Sequence, residues 1–211
     1  MGQTLDLGKR IELVPMYAHF HEITIALYQQ HREAGPAFLV HTYSQKDGVR
    51  EKVESIAGTM QVLGGMSRGS DDCLQFPCGD GHELACRRTF LEACKHDPAQ
   101  GAASLELSTL DKRSGRQISV NSLYQGQYQV AADGDEEGKS RRVDVIVNGL
   151  KKLGDMRGIE GHPDQVAFPC GQSHDELVGL LLVRAPNVRA IVREEESMAA
   201  RGVLSSPSQQ R

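Results

Sequence analysis

The sequence predicts an α+β fold built from two tandem, diverged copies of one β-β-β-α-β-α unit, related by a pseudo-two-fold axis. Each copy should form a mainly antiparallel sheet with its helices on one face. The tetrapeptide Phe-Pro-Cys-Gly occurs at 76–79 and at 168–171, each time followed three residues later by a histidine. Upstream, residues 37–66 align with 127–156 without a gap, and seven of these thirty positions are identical. Self-similarity of this kind indicates an internal duplication.

Three runs rich in β-branched and aromatic residues predict the strands that begin the first copy, at 11–16, 22–29 and 37–43. A loop is predicted over 30–36, between the second and third strands. A gapped extension of the alignment also matches the tripeptide Leu-Tyr-Gln at 27–29 with the same tripeptide at 123–125.

The alignment also indicates which stretches are helical. In the first copy, apolar residues recur at helical spacing at Val49, Val53, Ile56, Met60 and Leu63. The matching stretch 143–153 begins like a strand that ends in an Asn-Gly hairpin turn. Its alignment with the first copy favours a helix instead. A short strand at 74–78 should then lead into a helix over 82–95.

The repeat fixes the expected domain organisation. The predicted parts are a first unit at 9–98, a linker at 99–104, a second unit at 105–195 and a flexible tail at 196–211. Proline, glycine and alanine near the linker suit a junction. We expect the two units to pack into one compact domain.

Composition narrows the functional class. The net charge is −4 and lysine and arginine are scattered, which argues against a nucleic-acid partner. No apolar run approaches the roughly 20 residues that span a membrane, and residues 1–10 lack the apolar core of a signal peptide. Five cysteines follow no disulfide spacing, so we expect a cytoplasmic protein with reduced thiols. The expected partner is a small molecule or a protein, and an oligomer is compatible with the sequence.

Both Phe-Pro-Cys-Gly segments place a cysteine just before a predicted helix. Asp80 and Ser173 would be the N-caps of capping boxes, which puts Cys78 and Cys170 near the positive end of a helix dipole. That position lowers the pKa of a thiol. We therefore expect these two thiols to be more acidic and more reactive than those of Cys73, Cys86 and Cys94. The same field should keep the histidine that follows each turn neutral.

The main candidate site consists of Cys78, His82, Cys170 and His174. A cysteine followed four residues later by a histidine suits a catalytic thiol–imidazole pair, and it equally suits ligands for a small molecule or a divalent metal such as zinc. The sequence leaves open whether the protein is an enzyme. In a non-catalytic scaffold or interaction protein, the repeated turns would only be structural.

The packing of the two copies decides between these chemistries. If the equivalent turns lie near the pseudo-axis, the four side chains can complete one tetrahedral zinc site. If the turns lie on opposite flanks, each faces its own pocket. The absence of a second cysteine in either turn argues against the shared zinc site, because structural zinc sites usually use Cys-x-x-Cys pairs.

A second candidate is the pair His19 and His21, which would share one face of a strand and could bind a metal together. This His-x-His tripeptide is similar to that of metal-dependent hydrolases, although the chain lacks the length of their barrel. The resemblance implies an alternative hydrolase function centred on these two residues.

Overall fold

The computed structural model describes residues 16–20, 23–33, 35–95, 110–111 and 116–185. The first half contains β1 (Met16–Phe20), β2 (Ile23–Arg32), β3 (Gly35–Thr42), α1 (Val49–Gly64), β4 (Ser67–Arg68), β5 (Leu74–Gln75) and α2 (Glu83–Lys95). The second half contains β6 (Leu110–Asp111), β7 (Arg116–Ser122), β8 (Gln127–Ala132), α3 (Glu136–Gly154), β9 (Arg157–Ile159), β10 (His162–Ala167) and α4 (Asp175–Arg184). The expected linker and tail lie outside the described residues.

The two halves have the same element order and the same sheet topology, which confirms the predicted duplicated α+β fold. The strand order is β1-β2-β3-β5-β4 in one sheet and β6-β7-β8-β10-β9 in the other. Neighbouring strands are antiparallel throughout the described part of both sheets. Among the described residues, each half has one strand more than predicted, because β4 and β9 have only two and three residues and are too short to show an alternating pattern.

The first hairpin differs from the prediction. The first described strand runs over Met16–Phe20, and residues 11–15 of the strand predicted at 11–16 lie outside the described residues. The loop predicted over 30–36 is wrong, because β2 continues to Arg32 and β3 begins at Gly35. Polar side chains at the ends of these strands resemble a loop in sequence, although their backbone remains paired.

The gapped Leu-Tyr-Gln match is also wrong. Residues 27–29 lie within β2, whereas 123–125 form the turn between β7 and β8. Strand register gives the true correspondence, because Leu27 lies opposite Val40 just as Val120 lies opposite Val130. The shared Leu-Tyr-Gln tripeptide therefore does not mark equivalent positions of the repeat.

The helix predicted at 143–153 is confirmed as the main part of α3. This helix begins after Asp135, whose side chain accepts a hydrogen bond of 2.7 Å from the Gly138 amide. Tertiary context thus overrides the strand-like run of valine and isoleucine. Buried Ile146, Leu150 and Leu153 form its inner face.

The helices carry the contact between the halves. α1 packs against α4, and α2 packs against both α3 and α4. Buried side chains from both halves form one hydrophobic cluster, which includes Phe76 and Phe168. Within the described part of the chain, we find no helix of the length and apolarity needed to cross a membrane.

Several contacts between the halves join equivalent positions of the repeat. The Glu92 carboxylate in α2 pairs with the Arg184 guanidinium in α4, 92 residues further along the chain. The rings of His82 and His174, separated by the same interval, lie 4.7 Å apart between centroids. Such self-contacts mark the pseudo-two-fold axis.

Candidate metal centre

Each Phe-Pro-Cys-Gly segment forms a tight turn. The Gly79 amide donates to the Phe76 carbonyl at 3.0 Å, and the Gly171 amide donates to the Phe168 carbonyl at 3.1 Å. Proline at the second position and glycine at the fourth favour such a turn. Both glycines have positive φ, 80° and 71°, which suits a residue without a Cβ atom. The turn presents the cysteine at its third position.

The two histidines lie where the following helices begin. The His82 carbonyl accepts a hydrogen bond of 2.8 Å from Cys86, and the His174 carbonyl accepts one of 2.9 Å from Val178. His174 is the N-cap of α4, so the predicted cap at Ser173 is wrong. In the first half, α2 begins at Glu83, and the His82 carbonyl accepts the hydrogen bond from the Cys86 amide. The predicted cap at Asp80 therefore also lies too early in the chain.

The pseudo-two-fold axis brings the two turns together. Cys78 Sγ lies 3.1 Å from His82 Nε2, and Cys170 Sγ lies 3.3 Å from His174 Nε2. One ligand atom from each of these four residues lies within 4.8 Å of the other three. This group could hold a metal ion. The two turns therefore lie near the pseudo-two-fold axis, which is the arrangement that a shared zinc site requires.

The site is buried on its imidazole side and more open on its sulfur side. His82 and His174 are only 7% and 5% exposed, whereas both cysteines are partly exposed. Phe76 and Phe168 pack edge-on against both imidazoles, with centroid separations between 4.9 and 5.8 Å. These rings fix the imidazoles and keep water from them.

Burial determines the charge state of the free side chains. It lowers the pKa of His174 to about 4, and the neighbouring His82 contributes further. Burial also lowers the pKa of His82. Both imidazoles are therefore neutral at pH 7, as expected from the sequence, and neutral imidazole is the form that ligates metals. The main cause is burial and not the helix dipole.

The expected lowering of the Cys78 pKa is wrong for the free thiol. Burial raises the pKa of Cys78 to about 11, although the Asp80 amide, 3.3 Å from the sulfur, acts in the opposite direction. The adjacent Cys170 sulfur also raises this pKa. The sequence argument considered one turn alone, whereas packing of the halves places a second thiol beside the first.

Two glycines outside the motif position the turns. A Cβ atom on Gly35 would overlap the Gly79 carbonyl oxygen, and one on Gly126 would lie 2.6 Å from the Gln172 carbonyl carbon. In each half, the hairpin between the second and third strands is thus pressed against the cysteine turn. Sequence reasoning missed both residues because they do not occupy equivalent positions in the alignment. The available signal was a glycine in each hairpin turn.

Tyr128 orients the second turn. Its hydroxyl accepts a hydrogen bond of 2.7 Å from the His174 amide and donates one of 2.9 Å to Asp175 Oδ1. The equivalent position of the first half is Phe38, which is also buried but has no hydroxyl. The two turns therefore use different supporting contacts to reach similar geometry.

The alternative candidate site from the sequence is the pair His19 and His21. His19 lies in β1 opposite Thr24, and His21 lies outside the described residues. The hydrolase centred on these two residues therefore stays a prediction.

No protein-family model matches the chain, and comparisons with curated proteins and with solved structures found no significant match.

Proposed function

We propose that the protein binds one zinc ion through Cys78, His82, Cys170 and His174, and that this ion is a structural centre joining the two halves. The observation that carries the proposal is the convergence of the four ligand atoms, all within 4.8 Å of one another. Two ligands come from each half, so one ion would cross-link the duplicated units.

The spacing and chemistry of the donors favour zinc. In a tetrahedral site with Zn–S near 2.3 Å and Zn–N near 2.0–2.1 Å, neighbouring ligand atoms are roughly 3.3–3.8 Å apart. The two Cys–His separations of 3.1 and 3.3 Å are close to that range. Two thiolates and two imidazoles in a tetrahedron are typical zinc ligands.

The number of ligands favours a structural over a catalytic role. Catalytic zinc usually has three protein ligands and keeps one position for water or substrate, whereas four protein ligands fill the tetrahedron. The low exposure of His82 and His174 also limits access to the ion. The proposed function is therefore that of a zinc-stabilised scaffold, in which the free energy of zinc binding contributes to the free energy of folding.

Metal analysis of the untagged protein, purified without chelator, tests this proposal. We expect about one zinc per chain, as the ligand count of the site requires. Cys170→Ser should lose the metal and melt at a lower temperature. Cys94→Ser is the matched control, because Cys94 is also partly exposed but does not belong to the cluster. Protein without metal, and with unchanged melting in Cys170→Ser, would refute the proposal.

Cobalt substitution identifies the ligands independently of stability. Tetrahedral cobalt with two thiolates should give intense visible bands and sulfur-to-metal charge transfer. His82→Ala should change these bands, and Cys94→Ser should leave them intact. Octahedral cobalt spectra would contradict the proposed ligand set.

The second candidate function is thiol chemistry, favoured by the 3.1 Å contact between Cys78 Sγ and His82 Nε2. A neutral imidazole at this distance can accept the thiol proton. Alkylation rates, measured by peptide mass spectrometry with and without zinc, separate the two functions. Fast labelling of Cys78 that depends on His82 and is unaffected by zinc would favour the nucleophile.

A further inference from the structure

We propose that Cys78 and Cys170 form a redox switch, in which hydrogen peroxide converts the two sulfurs into a disulfide and releases the zinc. This inference rests on the proposed zinc centre and adds its regulation. It follows from three features of the site: the position of the sulfurs, their exposure and the donors around them.

The two sulfurs are neighbours across the pseudo-axis. Their Sγ atoms are no more than 4.8 Å apart. A disulfide requires a separation of about 2.05 Å. Because the cysteines belong to different halves, the bond would replace one cross-link between the halves with another.

Exposure directs the oxidant to these sulfurs. The imidazoles of the cluster are buried, whereas Cys78 and Cys170 are partly exposed, so the open side of the site consists of sulfur. Cys73 and Cys86 are buried, at 2% and 0% exposure. Cys94 is partly exposed, but it does not belong to the four-residue cluster.

Backbone amides support negative charge on both sulfurs. The Asp80 amide donates to Cys78 Sγ at 3.3 Å, and the Gln172 amide donates to Cys170 Sγ at 3.4 Å. A bound zinc ion keeps the ligands as thiolates, and the thiolate is the form that reacts with peroxide.

The reaction balances without a further reagent. One thiolate attacks a peroxide oxygen, the O–O bond breaks, and a sulfenic acid and a hydroxide ion form. The second thiolate attacks the sulfenic sulfur, the S–O bond breaks, and a disulfide and a second hydroxide ion form. The two sulfurs lose two electrons and the peroxide gains them.

Oxidation removes half of the zinc ligands. His82 and His174 are the only cluster members that remain available, and two imidazoles do not complete a four-coordinate site. The zinc should therefore leave as the disulfide forms. A dithiol reductant with added zinc should restore the original centre.

The test is peroxide titration of the zinc-loaded protein, followed with a chromophoric zinc chelator and by mass spectrometry of peptides prepared without reductant. We expect one zinc released for each Cys78–Cys170 disulfide, and rebinding after reduction. Cys94→Ser should behave like the parent protein. Cys170→Ser should form no intramolecular disulfide at Cys78, whether or not that variant retains zinc.

The outcomes separate this inference from the proposed function. Zinc-loaded protein that keeps its zinc in peroxide, or loses it through sulfinic acid without a disulfide, overturns the switch and leaves the zinc centre intact. Protein that binds no zinc in the first place overturns both. Release of zinc with disulfides at cysteines other than Cys78 and Cys170 also overturns the switch.

Discussion

Replacing Gly126 with alanine tests whether the β7–β8 hairpin positions the Cys170 turn. Gly126 is the second of two residues with positive φ in this hairpin turn, after Gln125. An added Cβ atom would lie 2.6 Å from the carbonyl carbon and 2.9 Å from the amide nitrogen of Gln172. These are backbone atoms of the residue two positions after Cys170, so the overlap must move the turn.

The expected cost has two parts. Alanine in the left-handed region costs roughly 1–2 kcal/mol, here at φ 67°. Overlap with a packed neighbour adds about 1–3 kcal/mol. Gly161→Ala provides the matched control, because Gly161 has φ 76° and nothing within 4 Å of the added Cβ atom. This control should lose only the free energy that alanine costs in the left-handed region.

The assay compares zinc affinity, by chelator competition, with the free energy of unfolding in urea. Gly126→Ala should weaken zinc binding about tenfold, which corresponds to about 1.4 kcal/mol of the displacement cost. Gly161→Ala should be less stable than the parent but bind zinc with unchanged affinity. Equal loss of affinity in both variants, or unchanged affinity in Gly126→Ala, would refute the idea that the hairpin positions the turn.

Three further predictions concern the supports of the site. Glu92→Arg or Arg184→Glu should each cost about 1–3 kcal/mol in urea unfolding, because like charges then meet at a partly buried contact. The double swap should recover part of this loss, although Lys95, which also pairs with Glu92, then faces an arginine. No recovery would contradict a direct pairing. Tyr128→Phe should cost about 1–3 kcal/mol, because it removes the acceptor of the buried His174 amide, and an unchanged unfolding free energy would contradict that role. In the presence of a metal chelator, the free energy of unfolding should fall as the pH is lowered from 6.5 to about 4. In this range His174 binds a proton in the unfolded state, whereas in the folded state, where its pKa is about 4, it does not. A flat pH profile would contradict the burial of a neutral imidazole.

The duplication and most of the fold were predictable because their signals are local. Pro77 and Gly79, and their counterparts in the second copy, favour a tight turn through their own backbone preferences. The ungapped alignment transferred the clear helical pattern of α1 to the ambiguous stretch in α3. Strands β4 and β9 were not predictable, because pairing with β5 and β10 defines them and their own residues do not.

The identity of the candidate residues was predictable, but their convergence was not. Each turn alone has one cysteine and one histidine, which is only half of a zinc site. Whether Cys78 meets Cys170 depends on how α2 and α4 pack, and no local pattern encodes that contact. The same limitation explains the wrong expectation for the Cys78 pKa, which burial and the second sulfur determine.

The pseudo-two-fold axis explains why neither turn needs a Cys-x-x-Cys pair. A residue on such an axis faces its own counterpart, so one cysteine and one histidine per copy become two of each. The same geometry constrains Glu92 and Arg184, which are equivalent positions in contact. Two identical copies would bring like charges together there, whereas the diverged copies bring together opposite charges. The metal ligands are compatible with exact symmetry, whereas the ion pair is not. Two like halves or two unlike halves could therefore form the metal centre, and Glu92 and Arg184 favour the pairing of unlike halves.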